Sequence, residues 1–404
     1  MYDAIVIGAR CAGSPTAMLL ARKGYRVLLL DRAGFPSDTL STHYIHQPGI
    51  SSLNRWGLLD EVVASNSPPA TQQLLDIGPF ALRGTPPPVD GVSAGHAPRR
   101  RVLDQILVNA AAAAGVEVRE RFTVDTLLTD DGDRVTGVRG HGAAGTAVTE
   151  EARIVIGADG LHSLLARKVQ APAYQVQPTF TCAYYTYWSD LPVEGVELYP
   201  RPDRMIIAGP TNDAQTLVIC YWPRAAFHEI RADIEGNFLR ALDLAPGLAE
   251  RARAGRRSER FRGTADLQNL FRRPFGPGWA LVGDAGYHKD PITAQGITDA
   301  FRDADLVAEA IDDGLSGRRP LADALADYER RRNEAVTPMY QLTCQFAGLE
   351  PPTPEMRQLF GALRGNQAQT DRFFGTIAGT VPIPEFFAPE NLGPIIGGVE
   401  PAVA

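Results

Sequence analysis

The 404-residue chain is short of lysine, of cysteine and of long apolar runs, and each shortage excludes something. Only Lys23, Lys168 and Lys289 are lysine, so almost all of the 40 basic residues are arginine. Cys11, Cys182, Cys220 and Cys344 lie far apart, with no C-x-x-C pair and no metal-ligand spacing. Neither a disulfide framework nor a bound metal is therefore expected, and a reducing, cytoplasmic setting is the simplest inference. No apolar run approaches the roughly 20 residues of a membrane-crossing helix. The chain opens directly on strand-like residues, which leaves no expected room for a signal peptide. Positive charge is also in deficit. A net charge of -7 and a pI near 5.6 argue against a general affinity for nucleic acid or acidic membranes. The basic runs at 255–262 and 329–334 read as solvated faces. With 44% hydrophobic and 22% charged residues, the chain has the makings of one large or two medium globular domains.

What is present begins with "YDAIVI" at 2–7, a β-branched apolar run suited to a strand covered on both faces. Ser14 and Pro15 open a helix that Gly24 stops, and "RVLLLD" at 26–31 supplies a second strand. Strand, helix and strand in about thirty residues make a βαβ unit. Its turn reads "GARCAG" from Gly8 to Gly13, with Arg10 where the middle glycine of a G-x-G-x-x-G dinucleotide-binding turn would stand. Gly8 permits the tight turn and Gly13 lets helix and strand pack closely. The helix N-terminus carries partial positive charge for a pyrophosphate. Asp31, ending the second strand, would hold both ribose hydroxyls of an adenosine. Arg10 is tolerable on two conditions: its side chain turns away and leaves the main-chain N–H groups free, or its guanidinium itself pairs with a phosphate.

A literal G-x-G-x-x-G does occur as "GHGAAG" at 140–145, but it opens no helix and reads as a decoy. Farther along, 43–63 mixes a turn at Pro48-Gly49 with a helix, and 66–100 reads as loops and short strands. Residues 101–115 have helical spacing, while 152–160 and 278–286 are apolar strands ending in turns. Helices are expected over 296–312 and 320–335, followed from 350 by a Pro-rich tail around a helical segment. Ten of the 32 aromatics fall in 174–228, where "TCAYYTYW" and "TLVICYW" alternate as antiparallel strands do. That excess suits an aromatic-rich sheet core, or a wall of a pocket that accepts aromatic rings with Tyr184 and Tyr221 as its candidates.

Three strand-end motifs, "GARCAGS", "GADGLHSLLAR" at 157–167 and "LVGDAGYHKDPITAQGITDA" at 281–300, together resemble the fingerprints of the FAD-dependent monooxygenases of the p-hydroxybenzoate hydroxylase type, the group A aromatic hydroxylases. The resemblance implies a mixed α/β protein. A Rossmann-like FAD-binding domain with a parallel sheet would comprise 1–75, 101–173 and 271–345. An inserted antiparallel-sheet substrate domain would comprise 76–100 and 174–270, and a helical C-terminal tail 346–404. It also implies non-covalent FAD held by Gly8, Arg10, Gly13, Asp31 with its neighbour Arg32, Val124 beside the adenine, Asp159 of a DG motif, and Gly283 and Asp284 of a GD motif. Pro291 and Gly296 would face the flavin. Among the three arginines of "PRRRVLDQIL", Arg100 is the one expected to reach the cofactor. The family writes a histidine where this chain has Tyr287, so no role passes to Tyr287 or to His288.

The activity so implied is hydroxylation of a small ring-containing molecule by O2, through a flavin C4a-hydroperoxide, with NADH or NADPH as a transient co-substrate. No second nucleotide turn is apparent, which suits a nicotinamide that binds only in passing. His46, or alternatively His43, is the candidate acid–base residue. A flavin-dependent halogenase would need a lysine in the stretch after the first βαβ unit, and none stands between Lys23 and Lys168. A reductase of the geranylgeranyl type and a non-catalytic flavin-binding redox sensor are the remaining alternatives. The sequence names neither the substrate nor an oligomeric state.

Overall fold

A computed structural model describes residues 1–397, so the last residues of the expected 346–404 tail lie outside the described region. The chain builds its first layer from Tyr2–Ile7 (β1), Gly13–Arg22 (α1), Val27–Leu30 (β2) and Gln47–Trp56 (α2). It crosses to a second layer for Gln72–Asp76 (β3) and returns with Arg100–Ala113 (α3) and Ala147–Gly157 (β4). A second crossing supplies Thr181–Ser189 (β5), Gly195–Arg201 (β6), Arg204–Thr211 (β7) and Gln215–Pro223 (β8). Three short helices, Phe227–Ala232, Ile234–Leu242 and Pro246–Ala254 (α4, α5 and α6), follow. Trp279–Leu281 (β9), Gly296–Leu315 (α7) and Leu321–Ala347 (α8) complete the first layer. Pro354–Leu363 (α9), Gln367–Ala378 (α10), Ile383–Phe386 (α11) and Pro389–Gly397 (α12) form the end.

In the first sheet β1 runs parallel to β2 and β4, and β4 runs parallel to β9. Strands β1 and β2 are almost wholly buried, as their unbroken apolar runs require, because helices cover one face and the 123–157 hairpin layer the other. In the second sheet β5, β8, β7 and β6 pair antiparallel in that order, and β3 joins β6 in parallel. The mixed α/β architecture expected from the sequence is the one observed.

Local departures have local causes. "GHGAAG" is the tip between antiparallel strands 135–141 and 147–157, with Gly145 at φ 77°, and opens no helix. Pro48-Gly49, expected as a turn, is instead the first turn of α2, where a proline's missing N–H costs nothing. Gly49 is required there by closeness: an added Cβ would lie 2.6 Å from Ile45 and 2.9 Å from the Thr298 hydroxyl. Helix α8 continues twelve residues beyond the expected 335, straight through Pro338.

The aromatic segment divides by strand parity. Tyr184, Trp188 and Trp222 face α4–α6, where the two tryptophans pack on Phe238 and Tyr184 stacks on Phe227. Ala183, Tyr185, Tyr187, Ile219 and Tyr221 take the other face of the sheet.

Candidate functional site

The register Ile7↔Leu30, Ile7↔Gly157 and Gly157↔Leu281 sets four parallel strand ends level. The three motif turns leave from that one edge, the side of an open α/β sheet where ligands bind. The turns are packed against each other with no room for side chains. Gly8 has φ 102° and a Cβ there would sit 2.4 Å from the Ala158 carbonyl oxygen. A Cβ on Gly13 would lie 1.8 Å from the Gly8 carbonyl oxygen, and one on Gly283, at φ 59°, would lie 2.7 Å from Ala12 Cβ. Among the described residues, the backbone N–H groups of Arg10, Cys11 and Ala12 donate to nothing. They form an unspent donor set at the start of α1.

Arg10 leaves that set open by turning away. Its guanidinium pairs with the Asp104 carboxylate, donates to Ser37 Oγ at 2.9 Å and lies 5.4 Å from the Phe35 ring centroid. Asp104 is fully buried and also receives Arg100, through Nε at 3.1 Å and Nη2 at 3.2 Å, and the Cys11 thiol at 3.4 Å. Sequence reasoning missed Asp104. Its signal was an acid on the apolar stripe of α3, beside Leu103 and Leu107 and four residues after Arg100. Burial pushes the Cys11 thiol far up despite the opposing Arg100 charge, so it stays protonated.

Among the described residues Arg100, held by Asp104 through Nε and Nη2, keeps Nη1 without a partner, and it sits within the field of Asp284. Arg99 is spent elsewhere: it pairs with Glu259 at 2.8 Å and Asp38 at 3.4 Å and lies 3.9 Å from the Tyr187 ring centroid. Arg101 is exposed, 3.8 Å from Asp213. Asp31 accepts from the Ala9 and Ala33 N–H groups, each at 2.7 Å, so it braces the turn and keeps a second lone pair on each oxygen. Arg32 is exposed, and Val124 is half-buried against the cluster that includes Phe122. Asp159 caps the turn at Leu164 at 2.6 Å, and burial raises its pKa. Asp284 is exposed beside the buried Gly283.

The loop from Pro291 leads into the twenty-residue helix α7 through Ala294, held at φ 54°. Gly296 is exposed, no side chain caps the helix, and the N–H groups of Gly296, Ile297 and Thr298 donate to nothing among the described residues. The unspent donors at α1 suit a pyrophosphate, and those at α7 suit a ring system that acquires negative charge. The residues present therefore fit a flavin dinucleotide.

His43 and His46 are both buried and stand near different parts of this site. His43, at φ 63°, shares a hydrogen bond from Nε2 with the Tyr187 hydroxyl. Burial first, then the Arg100 charge, lowers its pKa to about 3. His46 meets the Thr293 carbonyl at 3.0 Å through Nε2, and its ring lies edge-on to Tyr44 at 4.7 Å. Burial lowers its pKa to about 4, so at neutral pH the ring is uncharged, Nε2–H is the donor and Nδ1 is a bare acceptor. No partner meets Nδ1 among the described residues.

His46 also borders a cavity of about 1400 Å³. Tyr44, Thr293 and Ala294 share its corner, β3, β6, β7 and β8 form its floor, and residues 338–396 form its far wall. The two tyrosine candidates are not in its lining. Tyr184 points to the opposite face of the sheet, where it stacks on Phe227 at 6.4 Å, because β5 alternates and Ala183, not Tyr184, takes the cavity side. Tyr221 is on the cavity side but is sealed within the sheet packing. The aromatic rings that do line the cavity are Tyr44, Phe180, Phe346, Phe360, Phe373 and Phe387, so most come from the C-terminal segment. The sequence signal for them was phenylalanine on the buried faces of α9 and α10.

No group of histidine, cysteine and carboxylate side chains suited to a metal ion occurs among the described residues. No helix there is long and apolar enough to cross a membrane.

Comparison with known proteins agrees with this geometry. Residues 1–343 match the family described as "FAD binding domain". Digeranylgeranylglycerophospholipid reductase 1 of Methanopyrus kandleri is 27% identical over 370 residues, 87% of this chain and 91% of that protein. Kynurenine 3-monooxygenase of Salinispora arenicola is 27% identical over 358 residues, 81% of this chain and 75% of that protein. The solved structure of the myxobacterial chondrochloren halogenase superposes with a TM-score of 0.79 at 24% identity, over 99% of this chain and 98% of the other, and so shares the fold.

Proposed function

Because the chain belongs to the FAD binding domain family, with the architecture of the group A flavoprotein monooxygenases, we propose that it uses NAD(P)H and O2 to hydroxylate a ring-containing small molecule. The observation that carries this reading is the large, mostly apolar cavity meeting the Ala294 corner at the uncapped start of α7. Bound FAD supplies electron transfer from the nicotinamide and the activation of oxygen. The protein's own contribution is binding, orientation and the exclusion of water.

In this reading the free N–H groups of residues 10–12 and Arg100 Nη1 hold the pyrophosphate region, with the ribose hydroxyls at Asp31 and the ribityl chain at Asp284. The α7 N-terminus stabilises negative charge on the ring. His46 accepts a hydrogen bond from a substrate hydroxyl at Nδ1 and orients it, while its low pKa keeps it from carrying a proton away at neutral pH.

Halogenation is disfavoured by the cavity lining, which contains no lysine. Lys289, the buried one, is paired with Asp299. Alkene reduction is a second reading, favoured by the extent of the match to an archaeal lipid reductase and by the size of the cavity. Purified protein supplied with NAD(P)H, labelled O2 and a panel of phenols and conjugated rings separates the readings. One labelled oxygen atom in the product supports hydroxylation. Substrate reduction that proceeds without oxygen supports the reductase, and no turnover with any substrate in the panel defeats both.

A further inference from the structure

The cavity is too large and too apolar for a single polar ring. Its volume of about 1400 Å³ exceeds the ~300–1,000 Å³ usual for a small-molecule site. Its floor presents Val196, Leu198, Ile207, Leu217 and Ile219, and Phe360, Phe373 and Phe387 stand on the opposite wall. Along β7 it extends from Gly209, near the Tyr44 and His46 corner, to Arg204 at the β6–β7 hairpin. Five residue steps along a strand span roughly 17 Å.

The charged side chains of the lining are Arg201 and Arg204, at the hairpin end, and Glu350 and Glu355, in the segment after α8. Arg201 is tied to Asp76 at 3.0 Å, whereas Arg204, Glu350 and Glu355 make no ion pair among the described residues. Uncharged polar groups along the lining are few, and some are engaged within the protein. The Thr376 hydroxyl donates to the Phe373 carbonyl at 2.7 Å. A carboxylate or sulfonate on a short substrate seated at the His46 corner would meet no cation there, since the lining's arginines, Arg201 and Arg204, stand at the hairpin end. A hydrocarbon extension would meet apolar atoms along the whole length. Much of that wall lies past residue 343, where the family match ends.

We propose that the substrate is an extended, mostly hydrocarbon molecule: a reactive ring or conjugated end at the His46 corner, and an acyl, prenyl or fused-ring extension running along β7 to the hairpin. The assignment rests on the flavin reading only for which end reacts.

The test reads binding, not turnover. Oxidised, FAD-loaded protein is titrated with phenol, 4-propylphenol, 4-hexylphenol and 4-nonylphenol, below their aggregation limits, and with 4-hydroxybenzoate, following the flavin spectrum. The Kd is expected to fall about two- to fourfold per added methylene, the upper value corresponding to ~0.8 kcal/mol, and 4-hydroxybenzoate is expected to bind no better than phenol. Ile207→Trp, which fills the middle of the cavity, is expected to flatten the series while FAD content and thermal midpoint hold. Should that variant fail to load FAD, Leu359→Trp makes the same test from the opposite wall. A Kd independent of chain length in the wild type, or 4-hydroxybenzoate binding as tightly as 4-nonylphenol, overturns the proposal. A steep series without oxygen incorporation would defeat the hydroxylase reading alone, and efficient hydroxylation with a flat series would defeat this inference alone.

Discussion

Removing the carboxylate of Asp104 should cost far more than removing the arginine it pairs with. Asp104 is fully buried and answers two guanidinium groups, Arg10 and Arg100, together with the Cys11 thiol. Asp104→Ala leaves both cations without a counter-charge, a loss of about 3–5 kcal/mol by analogy with other broken buried pairs. Arg10→Gly leaves Asp104 still held by Arg100, and the Arg10 side chain is 25% exposed, so about 1 kcal/mol is expected. The same variant restores a glycine to the turn without touching the backbone donors, so FAD affinity should stay within about threefold of wild type. If the guanidinium instead bound a phosphate, losing that charged hydrogen bond would cost about 1.5–3 kcal/mol, or ten- to a hundred-fold in Kd. Urea unfolding of the apoprotein gives the stabilities, and quenching of flavin fluorescence gives the affinities. An Arg10→Gly protein that folds normally but binds FAD more than tenfold more weakly would refute this account of the turn.

Gly8→Ala should abolish flavin binding and lower the unfolding midpoint, since its Cβ would lie 2.4 Å from a backbone oxygen at φ 102°; a yellow, normally stable variant would count against the packing described. Stability should depend on His43 and His46 in a stated direction. With folded values of about 3 and about 4 against ~6.5 unfolded, each histidine is protonated in the unfolded chain first, so stability falls as pH drops from 6.5 toward 4, by roughly 1.4 kcal/mol per unit per histidine. Asp290, raised by burial to about 6, acts oppositely and loses stability as pH rises from ~3.9 to that value. Urea unfolding between pH 5 and 6.5 should therefore show a shallower pH slope for His46→Gln, and an unchanged slope would contradict a buried neutral ring. In turnover, His46→Ala should lower the fraction of NAD(P)H oxidised that yields product and leave FAD content unchanged; full coupling in that variant would remove His46 from the substrate site.

The first βαβ unit was legible because every signal agreed: two buried strands, a glycine turn and an acid at the second strand's end. The fate of Arg10 was not, because it is set by Asp104, ninety-four residues away. Tyr184 looked available for a pocket because composition reports how many rings a strand has and not which face each takes. Register with β8 and the helices behind it decided that. Pro48 illustrates the ambiguity of proline, which ends one element or begins the next according to what precedes it. Helix α8 runs past its expected end at 335 and through Pro338, and the cavity wall was missed because its residues meet the floor only in three dimensions.

Helix α8 has a lasting consequence for how such a protein can diversify. Its early part is fastened to the cofactor layer, where Tyr328 donates to the Leu281 carbonyl at 2.9 Å, and its final turns deliver the chain to the wall formed by α9–α12. Inherited changes after residue 347 can thus remodel what is accepted without disturbing the machinery shared with distant cousins. Grafting that terminal piece between relatives is accordingly the natural route to new chemistry on an old engine.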